Sequence, residues 1–130
     1  MFTNKSKFSH CFIFLFLVSC NSVNNENFEI ENKELISEYK IVNEQFIKEN
    51  AYKLSDYQMT YSLDSIAKLY MVDKNKKLAE KFIATTKGLK RLNFLKKFYE
   101  IEELKEILKK IPKNQKNNID YIELKKYTEK

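Results

Sequence analysis

Chemistry-bearing side chains are scarce in this chain of 130 residues. It has one histidine, two cysteines, one glycine, one proline and no tryptophan. His10, Cys11 and Cys20 all fall in the first twenty residues. Residues 21–130 therefore lack an imidazole base, a Ser-His-Asp triad and a histidine zinc site. They equally lack the thiols of a redox dithiol or of a Cys-rich zinc pattern. One Gly and one Pro leave little from which to build tight hairpins. Carboxylates are the catalytic chemistry left open, with 18 Asp and Glu. They are interleaved with lysines, the pattern of solvated helix surfaces, and an acidic cleft would be the sign of the other use. The expectation is no enzyme, no cofactor and no metal.

The first twenty residues have a different character. Lys5 and Lys7 open the chain, and no acid precedes Glu26. An apolar run from Cys11 to Val18 follows, then Ser19 and Cys20. A transmembrane helix needs about 20 apolar residues, so this run is a poor permanent span. A basic start, a short apolar run and a small residue at the cut are the parts of a secretory signal. The end of the run, Leu17-Val18-Ser19-Cys20, resembles a bacterial lipobox. That resemblance implies a signal peptide over 1–19, cleavage between Ser19 and Cys20, and lipid on the Cys20 sulfur. Two or three acyl chains hold a protein on a membrane where one chain alone is marginal. The implied partner is thus a membrane of the cell envelope, reached through the lipid anchor. Asn21 rather than Asp follows the cysteine. By resemblance to lipoprotein sorting, this implies the outer membrane, facing the periplasm, if the cell has two membranes.

Without Lys5 and Lys7 the chain keeps 22 basic and 18 acidic side chains, a net +4. They are unevenly spread. Residues 21–50 hold 3 basic and 7 acidic groups, residues 51–75 hold 3 of each, and residues 76–130 hold 16 and 8. A basic half of this kind can face anionic headgroups or an acidic envelope protein. Its densest group is Lys87, Lys90, Arg91, Lys96 and Lys97, a candidate docking face. The competing reading is that each lysine is solvated surface. Nucleic acid is not expected as a partner, since no Arg-rich or Gly-aromatic motif is present.

Apolar residues beyond residue 30 recur at helical spacing, which predicts an all-α single small domain of five to six short amphipathic helices. Asn21 to Asn27 is polar, so 20–30 reads as lipidated Cys20 and a tether, and 31–130 as the helical domain. A first helix is expected from about Asn32, as N-cap, to Asn50. Its stripe is Leu35, Tyr39, Val42 and Phe46, widened by Ile36 and Ile47. Ser55 is expected to cap a second helix, with Asp56 at the positive end of its dipole. Asp73 to Lys77 reads as a polar break and Thr85 to Gly88 as a turn. Leu89, Leu92, Leu95 and Phe98 predict a fourth helix. Ile101, Leu104, Leu108 and Ile111 predict a fifth, stopped by Pro112, with Glu106 pairing to Lys110. A last helix, Ile119 to Tyr127, is expected to turn Ile119, Ile122 and Tyr121 inward. The segments Glu44-Gln45-Phe46-Ile47 and Glu80-Lys81-Phe82-Ile83 look alike, but no third copy follows, and a repeat array is not expected.

Phe82-Ile83, a turn, Leu89, Leu92-Asn93-Phe94-Leu95, Ile101-Glu102-Glu103-Leu104 and Leu124-Lys125-Lys126-Tyr127 together resemble a known arrangement. It is the helical segment that precedes the redox domain in thioredoxin-like envelope lipoproteins. The resemblance covers residues 82–127 and carries no catalytic residue, because the Cys-x-x-Cys domain would come after it. Two readings of function stand. One is a membrane-anchored lipoprotein acting as a non-enzymatic binding or structural module. The other is an accessory or truncated relative of a thiol-redox lipoprotein.

Overall fold

A computed structural model describes residues 23–130; the expected signal peptide, its cut between Ser19 and Cys20 and the expected lipidation of Cys20 lie outside them. The described residues are helical with no strand, as the periodicity predicts. Helix α1 spans Asn25–Asn50. A short connection leads to α2 (Asp56–Lys68), which runs without a break through a π-helical segment (Leu69–Lys74) into α3 (Asn75–Lys81). Then come α4 (Thr86–Leu95), α5 (Ile101–Lys109) and α6 (Ile119–Thr128), with single 3-10 turns at 96–98 and 113–115. No helix among the described residues is long and apolar enough to cross a membrane.

α1 begins seven residues before the expected start. Its N-cap is Asn24, whose side chain accepts from the Asn27 amide at 2.8 Å, and Asn32 lies inside the helix. Residues 25–30, read from composition as part of a tether, are therefore helical. The cause is Phe28, one heptad before Leu35, which is buried against Phe82 with its ring edge-on at 5.6 Å. Beyond it the stripe of Leu35, Tyr39, Val42 and Phe46 is half-buried, whereas Ile36 and Ile47 face solvent.

α2 is capped as its sequence predicts. Ser55 Oγ accepts from the Gln58 amide, and the Gln58 side chain accepts from the Ser55 amide at 3.1 Å. No residue of α2 is buried. Its inner face of Met59, Leu63 and Ile66 is half-covered by α1, which it joins as a two-helix hairpin. The expected break at Asp73–Lys77 does not occur. One extra residue per turn over Leu69–Lys74 absorbs the polar run and rotates the helix face. Tyr70 and then Leu78, Ala79 and Phe82 become buried. π-bulges of this kind are single-turn insertions in an otherwise α-helical rod.

The α3–α4 corner depends on Gly88. The Thr85 amide and hydroxyl both donate to the Phe82 carbonyl, at 2.9 and 2.8 Å, and Thr85 Oγ1 accepts from the Gly88 amide at 3.0 Å. The expected turn at 85–88 is thus an N-cap, and Gly88 is already in helix. Its φ is not positive; what it supplies is room, because a Cβ there would run into the Phe82 carbonyl.

The main core is C-terminal: Ala79, Leu89, Leu92, Leu95, Leu104 and Leu124 are its most buried members. Phe98 leaves the α4 stripe because the helix tightens into a 3-10 turn at Lys96, and it ends up exposed. In α5, Leu104, Leu108 and Ile111 are buried as expected. Ile107 joins them, and Ile101 stays at the rim. Glu106 pairs with Lys109 at 2.5 Å rather than with Lys110. In α6 the inward positions are Leu124 and Thr128, with Tyr121 and Tyr127 half-buried. Ile119 is 65% exposed and Ile122 also faces out. The two look-alike segments differ in setting, since Phe82 is buried and Phe46 is half-buried on the hairpin.

Two outcomes test this packing. Gly88→Ala should lower stability although alanine favours helix by about 1 kcal/mol, because the clash is with backbone. Urea denaturation with an unchanged or raised midpoint would contradict it. Leu104→Asp, which puts an unpaired charge in the core, should lose several kcal/mol. A melting curve like the parent's would show that α5 does not pack there.

Candidate docking face

Part of the charge imbalance of the sequence is met inside the molecule. Acidic α1 lies against the basic elements that follow it. Glu29 pairs with Lys87 at 2.5 Å, Glu31 with Lys81 at 2.6 Å and Glu38 with Lys74 at 2.6 Å. The Glu38 carboxylate accepts a second bond from the Tyr70 hydroxyl at 2.8 Å. Lys74, then Tyr70, hold the Glu38 carboxyl below the ordinary carboxylate range, and Lys87 does the same for Glu29. A general acid needs a shift in the opposite direction. The cleft of about 500 Å³ between α1 and the rod, where Glu31, Glu34 and Glu38 face Lys74, Lys77 and Lys81, is a mixed ion-pair seam rather than an acidic site.

The five candidate docking residues separate into two groups. Lys87, Lys90 and Arg91 share a cleft of about 450 Å³ with Phe28, Glu29 and Phe94. Lys96 and Lys97 line a different one, with Glu123, Lys126, Tyr127 and Lys130 beside them. Lys96 donates to Asn93 Oδ1 at 2.9 Å and lies over the Tyr127 ring. The five are thus not one contiguous patch.

Within the first group the roles differ. Lys87 is committed twice: its amide donates to Asn25 Oδ1 at 3.1 Å and its ammonium to Glu29. Arg91 is half-buried and holds helices together. Its guanidinium donates to Asn75 Oδ1 and, at 2.9 Å, to Asn32 Oδ1, and lies over the Phe28 ring at 5.6 Å. Asn75 is buried and its own amide nitrogen donates to the Tyr70 carbonyl at 2.7 Å. Arg91 thus has two neutral acceptors and no carboxylate in direct contact. Burial pulls its pKa down and the nearby Glu29 opposes this, although a guanidinium stays charged throughout. Lys90 is exposed on the outer side of α4.

Sequence reasoning missed the apolar half of this face. Phe94 is 79% exposed, Phe98 57% and Met71 53%. They surround a second cleft, of about 350 Å³, that shares Arg91 and Phe94 with the first. Phe94 was legible as the member of Leu92-Asn93-Phe94-Leu95 that lies off the Leu89, Leu92, Leu95 stripe.

Among the described residues Tyr99 is the one strongly perturbed buried hydroxyl. Burial first, and Glu80 second, push its pKa up, and it donates to Glu80 at 3.1 Å. A protonated, hydrogen-bonded phenol under a lysine is a packing element rather than a nucleophile. Among the described residues no cluster of His, Cys, Asp or Glu is placed to hold a metal ion. Comparison with family models, with curated proteins and with solved structures gives no match.

The division of labour on α4 is testable. Arg91→Ala should cost about 1–3 kcal/mol, since it orphans the buried Asn75 oxygen. Lys90→Ala should stay within about 0.5 kcal/mol. Equal losses for the two in urea titrations would refute the assignment of Arg91 as the tie and Lys90 as free surface.

Proposed function

We propose that this chain is a membrane-anchored envelope lipoprotein, held by lipid on Cys20 and acting as a non-enzymatic binding or structural module. The observation that carries the reading is Leu17-Val18-Ser19-Cys20 after Lys5, Lys7 and a short apolar run. A thiol at the end of such a run is the residue that the lipid transfer requires. The start of α1 supports it. The domain begins at Asn25, five residues after Cys20, so little chain separates the anchor from folded structure. On this reading the location is the cell envelope, the outer membrane facing the periplasm if the cell has two membranes. The partners are the membrane, through the anchor, and an envelope protein. Non-enzymatic action is favoured by the absence of His and Cys from residues 21–130, and by carboxylates whose neighbours keep them ionised.

Metabolic labelling with a palmitate analogue should tag the full chain and leave Cys20→Ala unlabelled. The variant should run at the mass of the uncut precursor. Equal labelling of the two ends the reading, as does turnover of a thiol–disulfide or hydrolase substrate by the purified protein.

A further inference from the structure

We propose that the outer face of α4 and of the turn that follows it, bearing Lys90, Phe94 and Phe98, lies against an anionic lipid surface, and so sets how the anchored domain stands on its membrane; the tethering part of this argument rests on the Cys20 reading above. Three observations converge on that face. The first is composition. Lys87, Lys90, Arg91 and Phe94 recur at three- and four-residue spacing along one face of α4, and Phe98 and Met71 meet Phe94 across the adjoining cleft. Phe94, Phe98 and the adjacent Met71 expose large apolar side chains, and such a contiguous patch marks an interaction site. Aromatic rings with lysines beside them suit a bilayer interface, where rings enter and ammonium groups reach back to headgroups.

The second observation is charge. Lys90 is exposed, and Lys97, also exposed, shares its cleft with Glu123 as well as with Lys96, Lys126 and Lys130. Arg91 is held by two asparagine oxygens, so its charge is positioned without being neutralised by direct pairing. The single carboxylate lining the basic cleft is Glu29, and Lys87 already pairs with it. The face is therefore cationic after its internal pairs are counted.

The third observation is where the chain enters. Asn25 is bonded to the Lys87 amide at 3.1 Å, so α1 starts beside the N-terminal turn of α4. Five residues reach at most about 18 Å. A lipid on Cys20 is thereby confined near this end of the domain and far from the α1–α2 turn. The face that carries the exposed rings and Lys90 is the one beside which the chain leaves for the anchor. An acidic protein could pair with the lysines, but the short tether makes the bilayer the surface held nearest.

The chain has no tryptophan, so one introduced indole reports alone. The full chain carrying Phe94→Trp is purified from membranes, its mass read for lipid, and reconstituted into phosphatidylcholine vesicles with and without phosphatidylglycerol. Bromine-labelled phosphatidylcholine is the quencher. Phe98→Trp is a second reporter and Tyr52→Trp, at the fully exposed hairpin turn, the control. Emission from positions 94 and 98 should shift to the blue and be quenched at least twofold more than from position 52. That excess should fall when phosphatidylglycerol is omitted, when salt is raised, or when Lys90→Glu and Lys97→Glu are added. Equal quenching at positions 94, 98 and 52 overturns the proposal. So does a blue shift that needs no vesicles and grows with protein concentration, which would assign the face to a second copy. A mass without lipid defeats the anchoring reading alone, since the fluorescence comparison still decides whether this face meets anionic lipid.

Discussion

The arrangement depends on a short chain of side-chain bonds centred on Asn75. Its amide nitrogen donates to the Tyr70 carbonyl and its oxygen accepts from Arg91, which also reaches Asn32. Three helical elements meet in these bonds: the rod, α4 and α1. Asn75 is buried, and buried amide groups without partners are costly, so each member needs the other two. The π-helical segment fits the same logic. The extra residue over Leu69–Lys74 widens the turn in which the Tyr70 carbonyl meets the Asn75 side chain, five positions on. A regular α-helix would carry Leu78 and Phe82 round to a different face, away from Phe28.

Electrostatics follows the same joint. The acidic first helix and the lysines of the rod and α4 meet as Glu29–Lys87, Glu31–Lys81 and Glu38–Lys74. These pairs are partly exposed, so each contributes little alone. Their value lies in register: they pin α1 to its neighbours between Glu29 and Glu38, while Phe28 and Tyr39 supply the apolar contacts. A run of acid followed by a run of base thus has an internal explanation, and the surplus left on α4 is narrower than the count of 16 lysines and arginines in residues 76–130 implies.

Helix content, the Ser55 cap and the Leu stripes of α4 and α5 were legible because each is a local property. Where the reading missed, a distant partner decides the outcome. Phe28 sits alone in a polar stretch, and nothing nearby in sequence says that Phe82 waits for it. Asp73 to Lys77 is polar enough to suggest a break, but Asn75 is polar because it is the buried tie, and Lys74 because it meets Glu38. Gly88 signals a turn by habit, whereas its role is to let the Phe82 carbonyl pass close by. In α6, Ile119 and Ile122 look like core, yet Leu124 and Thr128 take the inward positions while α5 and α4 cover the helix. Of the candidate face, the lysines were visible by density alone. That Arg91 is a tie and that Phe94 is exposed required the fold.

Burial is graded along the molecule, and the gradient bears on how an anchored domain would work. The fully buried side chains cluster between Ala79 and Leu124, while α2 buries none and the 51–55 connection is exposed. Elements with few buried apolar contacts open at the lowest free energies, so the outer hairpin is the least protected part of the fold. At about 1.5 Å per residue, the 26 residues of α1 place its two ends about 39 Å apart. One end is fixed to α3 and α4 through Phe28, Glu29 and Asn32; beyond the other, Tyr52 in the connection and Tyr57 and Tyr61 on α2 are exposed. If the end near Cys20 is the one on the membrane, these tyrosines stand away from it by the length of the helix. Tyrosine combines an apolar ring with a polar tip and is enriched where proteins meet partners. If α4 lies against lipid as proposed, the same geometry leaves the outer hairpin at the far end of the domain.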